Sequence, residues 1–231
     1  MSLRRVGLIK TSLVDFPGTV AATVFTPGCN LRCPYCHNPR LVAPPYPDDM
    51  ISLEELDAFL SRRSNLLGGV CISGGEPLLH DELPALINLI KSHGLKVKLD
   101  TNGTMPERLQ KVEADYVAMD LKTAPERYWQ LLGPGQEAAG LSERIRRSLE
   151  ILKARGIDYE IRSTVALGII GPAELRAMLP LLQDVPLYRL SPFKPGETLD
   201  PNFGEEEKPD QTFMENLYAI AREAGVNCEL H

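Results

Sequence analysis

No apolar run in this sequence approaches the roughly 20 residues that a membrane-spanning helix needs, so the chain does not read as one that crosses a bilayer by helices. Its opening, MSLRRVGLIKTSLVDFPG, has basic residues but lacks an apolar stretch followed by a small-residue cleavage site, so it does not read as a secretory signal. Cysteine is scarce, five in 231 residues, and an odd set of that size is a poor disulfide framework. The expected compartment is the cytoplasm, where thiols stay reduced and a few clustered cysteines point to a metal or redox site. Positive charge is also short: the formal net charge is −6, which argues against nonspecific binding to nucleic acid. Internal repeats of fixed period and low-complexity tracts are missing as well. What remains is an ordinary globular composition, 43% hydrophobic and 24% charged, in a length that fits one domain spanning residues 1–231.

Apolar strands alternate with amphipathic helices along the chain, the order that favours a parallel sheet. The pattern predicts strands over 20–26, 69–73, 96–101, 115–121, 159–167 and 188–192. Helices are predicted over 53–66, 81–93, 142–155, 172–183 and 209–224. Ser52 with Glu55 three residues on makes a capping box for the first helix, Asp81 is placed to cap the second, and Gly94 is placed to stop it. Six βα units are too few for a closed eight-stranded barrel. The expected fold is therefore an α/β one, an open, partial (β/α)6 TIM-like barrel, with a doubly wound sheet as its rival.

In either architecture ligands bind at the C-terminal ends of the strands, and the unusual residues fall there. The loop TPGCNLRCPYCHNPR follows the first strand, SGGEP (73–77) the second, DTNG (100–103) closes the third and MDLK (119–122) the fourth. Each alone could be a solvated turn, but four together predict a shared mouth. Cys29, Cys33 and Cys36 are close enough for their thiolates to converge on one centre. A structural zinc completed by His37 is one reading, although adjacent Cys36 and His37 point poorly at one tetrahedral ion. An iron–sulfur cube with three irons held by cysteine and the fourth open to a substrate is the other. Cys71, within a strand, and Cys228 read as small buried hydrophobes.

CNLRCPYC, with its C-x3-C-x2-C spacing and the aromatic Tyr35 before the last cysteine, together with SGGEP, resembles the radical S-adenosylmethionine (radical SAM) superfamily. The opening GLIKTSLVDFPGTVAATVFTPGCNLRCPYCHNPRLV is most similar to its glycyl-radical-enzyme activating proteins, and among these to activators of anaerobic ribonucleoside-triphosphate reductase. The resemblance implies a 4Fe–4S cluster on the loop after the first barrel strand, held by Cys29, Cys33 and Cys36. It further implies reductive cleavage of SAM to a 5′-deoxyadenosyl radical, which takes a hydrogen from a glycine Cα of a partner enzyme, with reduced flavodoxin or ferredoxin as electron donor.

The same resemblance suggests where SAM sits. Gly74 and Gly75 would let a ligand approach the backbone, Glu76 would meet the SAM ammonium, and Tyr35 would border the cofactor. Asp100 and Asn102 would serve the ribose, and Asp120 would join Asp100 around a monovalent cation. Lys122 would pair with the SAM carboxylate, and Arg162 would orient that carboxylate or the peptide, its alternative being a structural ion pair. Ile169, in LGIIGPAE, would lie beneath the adenine, although Leu167 stands where that pattern prefers glycine. Lys194, in SPFKPGE, stands where formate-lyase activators carry a histidine; it would hold SAM or the partner's backbone, and its place there shifts the expected partner away from formate-lyase. Two rivals remain in view: a radical SAM enzyme of a small molecule such as a deazapurine precursor, and a non-catalytic metal-binding module. The latter would have no use for Glu76, Asp100 and Lys122.

Overall fold

The structure is a computed structural model that describes residues 3–231. Its strands are β1 (Arg5–Ser12), β2 (Ala21–Thr26), β3 (Ile51–Ser52), β4 (Gly69–Gly74), β5 (Lys96–Thr101), β6 (Tyr116–Asp120), β7 (Asp158–Val165), β8 (Tyr188–Pro192) and β9 (Cys228–Leu230). Between them lie α1 (Pro39–Val42), α2 (Leu53–Arg63), α3 (Leu83–Ser92), α4 (Pro106–Leu109), α5 (Leu141–Arg155), α6 (Pro172–Leu182) and α7 (Gln211–Glu223). The sheet order is β3-β1-β2-β4-β5-β6-β7-β8-β9. From β2 on, the chain adds strands in one direction, whereas a doubly wound sheet starts near its centre and reverses. The ends of the order are different strands, so the sheet is open: this is the partial barrel, and the doubly wound rival is excluded. None of the helices among the described residues is long and apolar enough to cross a membrane.

By contact the chain divides into two compact units. The first comprises Met1–Asn30, Arg40–Thr101 and Lys111–Val117. Here β2 is sandwiched between antiparallel β1 and parallel β4, and Ala21, Ala22 and Val24 are fully buried, the continuous apolar run of a strand covered on both faces. The register pairs Thr26 with Gly74, so the two strands end level. β1 lay outside the predicted elements because only Val6 of its eight side chains is buried, which leaves no alternation to read. The capping box is formed: Ser52 Oγ accepts from Glu55 N at 3.2 Å, and the Glu55 carboxylate accepts from Ser52 N at 2.8 Å. α2 stops at Arg63, one turn short of expectation. Asp81 does not cap α3; Glu82 holds that position and makes no side-chain capping bond to the helix. Leu83, Leu86, Ile87 and Ile90 form the buried face of α3, and Gly94 ends it at φ +74°, as expected.

The second unit comprises Leu31–Pro39, Asn102–Gln110 and Ala118–His231. Its parallel strands β7, β8 and β9 are joined by polar links, buried around Tyr188 and Ser163. The Tyr188 hydroxyl donates to Ser163 Oγ at 2.9 Å, and Ser163 donates to the Leu121 carbonyl at 2.5 Å. Arg189 bonds Glu160 at 2.7 Å and reaches Glu229 of β9 at 3.6 Å. The C-terminal tail is thus a ninth strand, too short at three residues to carry a period. Asp210 caps α7 by accepting from Phe213 N at 2.7 Å.

Candidate active site

In the first unit, the turn after β4 is bound to the start of the cysteine loop. Gly75 N donates to the Thr26 carbonyl and Glu76 N to the Gly28 carbonyl, both at 2.8 Å. Gly28 N and Cys29 N are in turn held by the carbonyls of Leu41 and Val42, at 2.7 and 3.2 Å. His80 Nε2 lies 2.7 Å from the Pro27 carbonyl, so that nitrogen carries the proton. The sequence suggests that Gly74 and Gly75 admit a ligand; the structure shows them admitting the protein's own backbone. A Cβ on Gly74 would stand 2.4 Å from Thr26 N, and one on Gly75 would stand 1.9 Å from the Gly28 oxygen.

Glu76 is fully buried, and its Oε1 accepts from Leu78 N at 3.0 Å and from the Thr101 hydroxyl at 2.8 Å. The carboxylate therefore caps the short 3₁₀ turn Pro77–Leu79 and is fixed in orientation. Asp100 is paired with the ammonium of Lys98, itself 1% exposed and 3.8 Å from Cys71 Sγ. Cys71 is buried as expected, but its sulfur faces a charge. Lys98, Thr101 and His80 were not among the predicted site residues. Period-two alternation puts Lys98 and Asp100 on one face of β5, and that signal could have found the lysine.

In the second unit, the rest of the cysteine loop is gripped by aromatic and backbone contacts. Arg32 N donates to the Leu131 carbonyl at 2.6 Å, Asp200 N to that of Pro34 at 3.1 Å and Cys36 N to that of Cys33 at 3.1 Å. Tyr35 packs 6.0 Å from Phe203, whose ring meets Phe193 edge-on at 5.1 Å, and His37 stacks on Phe193 at 5.5 Å. Tyr35 is buried, and its hydroxyl has no hydrogen-bond partner among the described residues. Burial, then the neighbouring Cys33, raises this phenol well above its ordinary pKa, so it stays protonated and can donate.

Asp120 receives Arg162 Nε on one oxygen and Lys122 Nζ on the other, each at 2.9 Å. Burial would raise its carboxyl, but the charges of Arg162 and Lys122 outweigh that and hold it well below the usual carboxylate range. Burial likewise disfavours the Lys122 ammonium, and Asp120 reverses the effect and raises it. At neutral pH all three groups are charged. The Lys122 N–H donates to the Tyr128 hydroxyl at 2.9 Å, which fixes the backbone at this point. Asn102 Oδ1 is turned onto the N–H and hydroxyl of Thr104, at 3.0 and 2.7 Å. Ile169 is buried and its carbonyl accepts from Thr123 at 2.8 Å, while Lys194 is exposed.

Three thiols on one loop, none in a disulfide, fit an iron–sulfur cluster, and the orphaned buried hydroxyl of Tyr35 fits a polar ligand beside Cys33, Asp120 and Lys122. Asp100 already carries the Lys98 ammonium, and both oxygens of Asp120 are taken by cationic side chains.

The sequence matches the family model described as the radical SAM superfamily over residues 23–179. It is 27% identical over 221 residues to a protein of Methanocaldococcus jannaschii named as a glycyl-radical enzyme activating enzyme, covering 94% of this chain and 90% of that one. A 7-carboxy-7-deazaguanine synthase of Aquifex aeolicus is 36% identical over 80 residues, 34% of either chain. Among solved structures, a radical SAM methyltransferase from Sphaerobacter thermophilus shares the fold with a TM-score of 0.65 at 16% identity, over 98% of this chain and 76% of that one.

Proposed function

The chain belongs to the radical SAM superfamily, and we propose that within it the protein is an activase that installs a glycyl radical in an anaerobic ribonucleoside-triphosphate reductase. The supporting observation is the match to a glycyl-radical enzyme activating enzyme along nearly the whole of both chains. A second reading, action on a deazapurine precursor, is favoured by the deazaguanine synthase match, which spans only a third of the chain.

In the proposed assignment Cys29, Cys33 and Cys36 hold the cluster. When bound, the cluster and SAM supply a one-electron reductive cleavage that yields a 5′-deoxyadenosyl radical, the electron coming from reduced flavodoxin or ferredoxin. Lys122 and Arg162, fixed by Asp120 and charged at neutral pH, present cations to the SAM carboxylate. Glu76, its orientation set by Leu78 N and Thr101, takes the SAM ammonium, and Tyr35 donates its hydroxyl. Asp100 and Asn102 serve the ribose, Ile169 the adenine, and exposed Lys194 the partner's backbone.

Lys122→Ala is expected to leave iron and sulfide content normal and to weaken SAM binding by about 1.5–3 kcal/mol, the worth of a charge-assisted bond. Calorimetric titration of the reconstituted protein measures it, and unchanged affinity would remove Lys122 from the site.

The function itself is tested with a candidate reductase carrying glycine deuterated at Cα. Under anaerobic conditions with reductant and SAM, deuterium is expected in 5′-deoxyadenosine, together with a protein radical by electron paramagnetic resonance. The glycyl radical is stabilised by its flanking amide groups and the primary deoxyadenosyl radical is not, so transfer runs downhill once the glycine is positioned. Label arriving from a purine precursor and from no reductase would favour the second reading.

A further inference from the structure

Lys98 has no part in the assignments above, yet at 1% exposure it is the one fully buried lysine among the described residues. It lies in the middle of β5 opposite Cys71 of β4, with its ammonium on Asp100 and 3.8 Å from the Cys71 sulfur. A buried ammonium carries a large desolvation penalty, and an apolar side chain of the same length would fill this strand position without it. Its compensation is the Asp100 carboxylate, two residues along the same face. Such a group does for a carboxylate what a bound alkali cation does, supplying one positive charge at contact distance. Tethered to the backbone, it does so at an effective concentration that dissolved salt cannot match.

We propose that the Lys98 ammonium is the resident cation of the Asp100 site, a positioning residue that holds the Asp100 carboxylate in orientation and makes SAM binding independent of sodium and potassium. The inference rests on placing Asp100 in the SAM site. It concerns binding only, so it stands or falls apart from the identity of the protein or small molecule that the radical attacks.

The test compares potassium, sodium and tetramethylammonium chlorides at constant ionic strength. For the wild type, the melting temperature of the apo-protein and the SAM dissociation constant of the anaerobically reconstituted protein are expected to be the same in all three. For Lys98→Met, SAM binding in tetramethylammonium chloride is expected to be about tenfold weaker or worse. Potassium or sodium should restore part of that affinity and raise the variant's melting temperature. Severalfold tighter SAM binding by the wild type in potassium than in tetramethylammonium would overturn the proposal, as would wild-type affinity in Lys98→Met. Should Lys98→Met fail to fold, Lys98→Met/Asp100→Asn removes the charge left behind. That double variant is expected to bind SAM weakly in every salt, and wild-type affinity in it would equally reject the idea. If the salt and Lys98 results hold while deoxyadenosine takes no deuterium from any glycine, the activase reading falls and the role of Lys98 remains.

Discussion

Cys29→Ser, Cys33→Ser and Cys36→Ser are each expected to abolish iron and sulfide incorporation, and with it SAM cleavage, while the protein stays folded. In the proposed cluster each thiolate holds a different iron, so no remaining ligand substitutes for a lost one. Serine keeps the size of the side chain but is a far poorer ligand for iron. The other two cysteines provide the contrast. Burial pushes the Cys228 thiol up to about 11, so it is protonated at neutral pH and lies on β9, far along the chain from the loop. Cys71 is enclosed between β2 and β5. Cys228→Ser and Cys71→Ser should cost about 1–2 kcal/mol of packing and leave the cluster intact. Iron and sulfide assays after anaerobic reconstitution, with circular dichroism to verify folding, separate the two groups. Loss of the cluster in folded Cys71→Ser would show the ligand set to be wrong.

Gly75→Ala is the second substitution with a large expected effect, and its cause is steric. The new Cβ would stand 1.9 Å from the Gly28 oxygen, 2.5 Å from its carbonyl carbon and 3.3 Å from Cys29 N. All three are backbone atoms, which no rotamer change can move aside. The turn after β4 must then draw back from the cysteine loop and give up the Gly75–Thr26 and Glu76–Gly28 hydrogen bonds. Overpacking combined with two lost bonds amounts to about 3–5 kcal/mol, and poor cluster retention should accompany it. Gly196→Ala is the control, because a Cβ there meets nothing within 4 Å, and its stability should match the wild type. Denaturant unfolding of the apo-proteins reads the difference, and equal stability of the two variants would contradict the account.

The distance between what the chain announces and what the fold decides is clearest in SGGEP. Its two glycines, its carboxylate and its place at a strand end are all visible in the sequence, as are the spacing of Cys29, Cys33 and Cys36, the Ser52–Glu55 cap and the alternation that yields a partial barrel. These signals are local: a cap spans three residues, a period shows within one element, and a cysteine's chemistry needs no neighbour to declare itself. Weakly patterned edges escaped, β1 because one side chain of eight is buried and β9 because it has three residues.

Tertiary structure alone decided the polar contacts between residues distant in sequence. Arg162 meets Asp120 across 42 positions of sequence, and Thr101 meets Glu76 across 25. Gly75 is glycine because the Gly28 carbonyl occupies the space beside it. Parallel pairing brings together residues from successive βα units, and the register that does so is set by burial of whole strands and helices. A residue's type and period therefore determined that it would stand at a strand end or in the core. Only long-range packing determined that Arg162 would join Lys122 on Asp120, and that the Tyr35 hydroxyl would be left without a partner among the described residues.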